Sequence, residues 1–162
     1  MKDKIEKTNA IRALDEAHIN YIVESIDPKD FIDGLQMAKL MGKDPNTSFK
    51  TLVTVGKSNN HYVFMVPVSC ELDLKKAAKV VNEKNIEMIK TKELLPLTGY
   101  IHGGCSPIGM KKMFKTVIDE TSILYEEISF SGGKVGLQVT CDPNDLTKVI
   151  DIEIADICKD KN

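Results

Sequence analysis

The chain has 162 residues, 42% hydrophobic and 28% charged, with a formal net charge of −2, and that length closes a proper core without metal or disulfide staples, so it reads as one domain over 1–162. No apolar run reaches the length of a membrane span, and the N-terminal MKDKIEKTNAIRA lacks the apolar stretch of a signal peptide, so a cytoplasmic location away from membranes is expected. Near-even charge with a single arginine, Arg12, excludes a global basic field and most bidentate readout of bases or phosphates, so DNA is not an expected partner.

Residues 4–17 carry Ile5, Ala10, Ile11, Leu14 and Ala17 at helical spacing and predict an amphipathic first helix. Residues 20–25 then read as a strand, Asp27-Pro28 breaks the chain, and Asp33-Gly34 introduces a short helix over 35–41 closed by Gly42. Residues 49–56 and 61–68 are the clearest strands and form a hairpin around the polar turn 57–60. A helix follows over 71–81, then a short element at 86–89 and a helical turn from Thr91 through Leu95, before Pro96. Beyond a glycine-rich loop come a strand at 116–119 and a second hairpin from 127–130 and 135–140 around Gly132-Gly133. Asp142 or Asn144 caps a helix toward Ile150, and a short apolar segment ends the chain. This order predicts an α/β protein of the α+β type, with a mixed, curved, barrel-like sheet and helices packed outside. It is not the order of a βαβαβ nucleotide fold.

The four cysteines (Cys70, Cys105, Cys141, Cys158) and three histidines (His18, His61, His102) lie far apart without metal-ligand spacing, so free thiols, no metal and no cofactor are expected. The densest local signal is Gly103-Gly104-Cys105-Ser106-Pro107-Ile108-Gly109, followed by Met110-Lys111-Lys112. A tight turn accounts for one or two of those glycines; three, with Ser-Pro between them, suggest backbone approaching a ligand with amides available as an anion nest or oxyanion hole. Cys105 has no base partner in sequence reach, which argues against a thiol nucleophile. Ser131-Gly132-Gly133-Lys134 is explained equally well as a hairpin turn. Lys50 interrupts an apolar strand. Alternation puts it on one face with Leu52 and Thr54, and Thr51 on the other with Phe49 and Val53. A lysine with its head in solvent and a lysine at a pocket mouth both fit that pattern. Among the lysine clusters, Lys111, Lys112 and Lys115 adjoin the glycine loop and are better phosphate candidates than Lys75, Lys76 and Lys79.

Taken together, FKTLV (49–53), LDLKKAAK (72–79), LLPLTGYIHGGCSPIGMKK (94–112) and SGGKVGL (131–137) resemble the YbaK/EbsC family of aminoacyl-tRNA deacylases, related to the editing domain of bacterial prolyl-tRNA synthetases. The resemblance runs over nearly the whole chain in the same order and is particularly close to the EbsC-type branch acting on Cys-tRNA(Pro) and Cys-tRNA(Cys). It implies Lys50 with Gly103 and Gly104 as catalytic residues, and Thr51, Ser106, Pro107, Ser131, Gly132 and Gly133 as substrate-binding residues. Lys111, Lys112 and Lys134 would be weak tRNA phosphate contacts. It also implies a mechanism in which the substrate's own cysteine thiol attacks the ester, with no cofactor. The partners would be the acceptor end of aminoacyl-tRNA and, transiently, prolyl-tRNA synthetase. Editing of another small acyl group such as Ala-tRNA(Pro) by water, and a non-catalytic tRNA- or synthetase-binding regulator, remain open alternatives. The chain departs from the family pattern at Gln138, where some members carry an acid, at Val135, where an arginine is frequent, and at the entrance segment near Ile26 and Phe31–Gly34.

Overall fold

A computed structural model describes residues 7–160. Helix α1 (Asn9–Glu16) begins where Thr8 accepts from the amide of Ile11, and buries Ala10, Ile11 and Leu14. Ile5, expected on this helix, lies outside the described residues. Strand β1 (Ile22–Ser25) and a 3₁₀ turn at Pro28–Asp30 lead to α2 (Gly34–Leu40), capped by Asp33 through Gln36 N. The first hairpin is present as expected, as β2 (Phe49–Gly56) and β3 (His61–Pro67). Helix α3 (Leu74–Val80) starts later than its apolar pattern implies, because the Asp73 carboxylate takes the amides of Lys75 and Lys76.

Strand β4 (Ile86–Met88) is followed by α4 (Thr91–Thr98). This helix passes through Pro96 instead of stopping before it. Proline removes one amide donor, while the Thr98 hydroxyl donates to Leu94 O (2.8 Å) and Gly99 N to Leu95 O (2.8 Å), which hold the last turn. Strands β5 (Lys115–Asp119), β6 (Ile128–Ser131), β7 (Leu137–Cys141) and β8 (Ile152–Ala155) complete the set. The expected helix toward Ile150 is a 3₁₀ segment, Pro143–Lys148, capped by Asp142.

The strands form two sheets, an antiparallel β1-β7-β6 and a mixed β4-β2-β3-β5-β8 in which β3–β5 and β5–β8 are parallel. The α+β class with a mixed sheet is as expected, but the sheets do not close into a barrel. Among the described residues one parallel bridge, Ser48 with Ser129, links their backbones. One core lies where α1, Phe49 and Val53 of β2, Val63 and Met65 of β3, and Phe130, Leu137 and Val139 of the smaller sheet meet. A second core packs α3 against Phe64, Val66 and Val117 on the other face of the larger sheet. Strand β3 is therefore apolar on both faces, as a central strand must be. Each fully buried Phe (Phe64, Phe130) contributes about 1.5–3 kcal/mol of burial. Among the described residues no helix is long and apolar enough to cross a membrane.

Candidate active site

The bridge between the sheets creates the site. Ser129 N donates to Thr47 O (2.9 Å), and Val68 N donates to Ser48 O (2.7 Å). Ser48 therefore turns its carbonyl toward β3, and the alternation of a strand turns the peptide groups of Phe49 and Thr51 the other way. On that other edge β4 does not begin to pair until Thr54 (with Met88), and Ile89 N reaches Val53 O at 3.3 Å. Between Ser129 at one end and β4 at the other, the edge of β2 has no partner strand. A cavity of about 450 Å³ occupies this gap, and all of Phe49–Val53 border it.

The remaining walls come from four other segments. Phe31, Asp33 and Met37 enter from the start of α2, and Met88, Lys90 and Thr91 from the end of β4 and start of α4. His102, Gly103 and Cys105 of the glycine loop face them, and Ser131, Leu137 and Gln138 belong to the β6–β7 side. In the smaller sheet Phe130, Leu137 and Val139 point into the core, so Ser131 and Gln138, which pair with each other, point to the opposite face. Bridge partners share a face, so Lys50, two residues beyond Ser48, lies on the same face as Ser131, two beyond Ser129. Lys50 is half-buried and has neither ion pair nor hydrogen-bond partner among the described residues.

The two glycine loops are packed against each other. A side chain at Gly104 would start 2.8 Å from Val135 N and 2.9 Å from the Lys134 carbonyl carbon, so only glycine lets the loops come so close. Gly103 has φ +86°, and a Cβ there would lie 2.9 Å from the Phe31 ring. This brings Phe31 over the loop at the cavity's edge.

The amides of these loops are less available than their composition suggests. Gly104 N donates to Ile101 O (3.0 Å), Gly132 N to Leu137 O (2.9 Å) and Gly133 N to Ser131 Oγ (3.1 Å). Gly103 N has no such partner among the described residues, and Gly103 borders the cavity. Ser106 is fully buried and accepts from Ile108 N (3.3 Å), and Pro107 is buried beside it. Neither borders the cavity, and nor do Gly132 and Gly133. Lys111, Lys112 and Lys134 are exposed outside it. Lys115 is tied to Glu153 (3.1 Å).

Of the residues singled out in the sequence, the cavity thus gathers Lys50, Thr51, Gly103 and Ser131. It adds Lys90, which had no motif of its own, together with His102 from the 94–112 block, Asp33 from the entrance segment, and Gln138, marked in the sequence by its departure from the family pattern. Cys105 is buried, which pushes its thiol up to about 12, so it is protonated near neutrality. No group of three or more His, Cys, Asp or Glu side chains is gathered as a metal site among the described residues.

Residues 35–149 match the family model of the aminoacyl-tRNA editing domain. The chain is 39% identical over 153 residues, 94% of its own length and 93% of the relative's, to the "Putative Cys-tRNA(Pro)/Cys-tRNA(Cys) deacylase EbsC" of Enterococcus faecalis (strain ATCC 700802 / V583). Its fold matches the crystal structure of a "putative trans-editing enzyme for prolyl tRNA synthetase" with a TM-score of 0.82 at 24% identity, over 94% of this chain and 96% of that one. It also matches a hypothetical protein with a TM-score of 0.83 at 17% identity, over 94% and 100%.

Proposed function

Because the chain belongs to the aminoacyl-tRNA editing domain family, we propose that it is a trans-editing deacylase that clears cysteine from Cys-tRNA(Pro), with Cys-tRNA(Cys) as a second substrate, in the cavity between β2 and β6. The observation that carries this reading is the unpaired lysine, Lys50, lining with Gly103 a cavity sized for a small ligand. The acyl group sits against the apolar wall of Phe49, Val53 and Leu137, and the ester carbonyl lies between the Lys50 ammonium and the Gly103 amide.

The cavity residues supply no evident nucleophile. Cys105 is held protonated by its burial, and neither Ser106 nor Ser131 has a histidine hydrogen-bonded to its hydroxyl. The substrate's own thiol fills that role. Its sulfur attacks the ester carbonyl carbon, the carbonyl oxygen takes negative charge, and the carbon–oxygen bond to the ribose breaks as the ring closes to a thiolactone. The thiol proton ends on the departing ribose oxygen. A tethered nucleophile has a high effective concentration, so the protein's work is to hold the acyl group bent and stabilise the oxyanion.

At the mouth Lys90 is exposed beside the apolar Ile32 (73% exposed) and Met88 (47% exposed). This rim receives the terminal adenosine and its phosphate. Lys111, Lys112 and Lys134 lie further out, where they reach phosphates beyond the terminal one. With a net charge of −2, intrinsic tRNA affinity is modest, and a transient complex with prolyl-tRNA synthetase supplies the mischarged tRNA. The test is release of labelled amino acid from Cys-tRNA(Pro), Cys-tRNA(Cys) and Ala-tRNA(Pro). Release of cysteine with alanine spared supports thiol cyclisation. Release of alanine as well assigns water as nucleophile, and no release from any of them removes the deacylase reading.

A further inference from the structure

Three buried side-chain oxygens have no hydrogen-bond partner among the described residues: Ser48 Oγ, Thr51 Oγ1 and Gln138 Oε1. Buried polar atoms are almost always satisfied, so each one left over asks for an explanation. Thr51 and Gln138 both border the cavity, on opposite sides of the gap between β2 and the smaller sheet. Gln138 is only 7% exposed.

The flanks of Gln138 explain why its oxygen is left over. Across the sheet it stands between Glu24 on β1 and Ser131 on β6. The Glu24 carboxylate has only acceptors to offer and is engaged by Lys43 at 2.5 Å. The Ser131 hydroxyl accepts from Gly133 N (3.1 Å) and makes no hydrogen bond to Gln138. Gln138 Oε1 is thus left to accept from a group bound in the cavity that Gln138 borders.

Resting on the deacylase reading above, we infer that Gln138 Oε1 holds the α-ammonium group of the aminoacyl ester. An ammonium carries three donors and no acceptor, which complements an unpartnered buried oxygen. Gln138 shares its face with Ser131 and Lys50, so the ester carbonyl next to that ammonium is left to Lys50. The cavity's own carboxylate, Asp33, is exposed and already accepts from Gln36 N at the start of α2 (2.8 Å), so it is the poorer seat. The site thereby selects a free amino acid ester over an N-acylated or amine-free one, and fixes which way round the acyl group enters.

The test is calorimetric binding of two probes, 3′-cysteinylamido-3′-deoxyadenosine and its counterpart lacking the amine, 3′-(3-mercaptopropionylamido)-3′-deoxyadenosine. The wild type should prefer the amine-bearing probe by about tenfold or more, the range of hydrogen bonds to a charged group. Gln138→Leu should bring that preference within about twofold, and Asp33→Asn should leave it intact. Gln138→Glu keeps an acceptor and adds charge, so it should retain or raise the preference, and it carries the test if the leucine variant fails to fold. Equal binding of the two probes by the wild type overturns the inference. So does an undiminished preference in Gln138→Leu, a preference lost in Gln138→Glu, or one lost in Asp33→Asn. Binding of neither probe overturns both this inference and the deacylase reading. A clear amine preference in a protein that releases no amino acid from any tRNA discards the deacylase reading alone.

Discussion

Ser48 and Ser129 are joined by a lone parallel bridge, and Lys50 and Ser131 each stand two residues beyond it on strands that then part. The pairing that would have continued the sheet is replaced by a cavity. Peptide groups that would otherwise bind a neighbouring strand, and residues from both faces of β2, border that cavity instead.

Closing the contact between the glycine loops should be costly. Gly104→Ala places a methyl group under 3 Å from the backbone of Lys134 and Val135, which cannot yield as a side-chain tip would. We expect a loss of about 1–3 kcal/mol, the range of overpacking, read as a lowered midpoint in denaturant, with activity falling as Gly103 is displaced. An unchanged midpoint and activity would show that the loops do not need this approach.

Cys105 borders the cavity yet should be chemically inert. Burial pushes its thiol up to about 12, so at pH 8 iodoacetamide should leave it unmodified in the native protein. Cys105→Ser should keep deacylation within a fewfold of wild type. Complete loss of turnover in that variant, with the fold intact by circular dichroism, would make Cys105 the nucleophile and end the substrate-thiol mechanism.

The same burial sets an alkaline limit on stability. Cys105 and Cys141 are both raised from 9.0 to about 12, chiefly by burial, and burial also raises Tyr100 above its ordinary value. Between about pH 9 and 12 the unfolded thiols lose protons that the folded ones keep. The unfolded state then binds fewer protons, and stability falls as pH rises. Urea midpoints should drop above pH 9, and Cys105→Ala/Cys141→Ala should show a shallower drop than wild type. An identical slope in the double variant would remove the thiols as the cause.

Cations at the mouth and on the loop flanks should separate by salt and by KM. Lys90 borders the cavity, whereas Lys111 and Lys112 do not. Lys90→Ala should raise KM for aminoacyl-tRNA a fewfold at low salt with kcat little changed, and the difference should shrink at high salt. Lys111→Ala/Lys112→Ala should stay within about twofold. The reverse ranking would move the phosphate track onto the glycine loop.

The sequence made both hairpins, the caps at Asp33 and Asp142 and the α+β class legible because each has a short-range cause in alternation, polar turns or an Asp before a helix. Lys50 and the two glycine loops could be named from motif and resemblance, and the contact between Gly104 and Val135 explains why those loops belong together. What could not be read was the availability of individual groups. Whether an amide faces a ligand or is taken by Ile101, Leu137 or Ser131 depends on long-range register, which no local pattern encodes. Ser106 and Pro107 fit the motif yet face the interior. Lys90 reaches the cavity because the end of β4 runs into it, a tertiary result that its neighbours in sequence do not announce.

Release of cysteine from Cys-tRNA(Pro) by wild type and Lys50→Ala, with tRNA binding measured in parallel, tests the central claim most directly. The account predicts that Lys50→Ala binds tRNA within a fewfold of wild type while turnover falls by about a hundredfold or more, the scale of losing a group that stabilises an oxyanion. A variant that still releases cysteine at near wild-type rate, or one that loses only salt-sensitive binding, would contradict a reaction centred on Lys50 in the gap between β2 and β6.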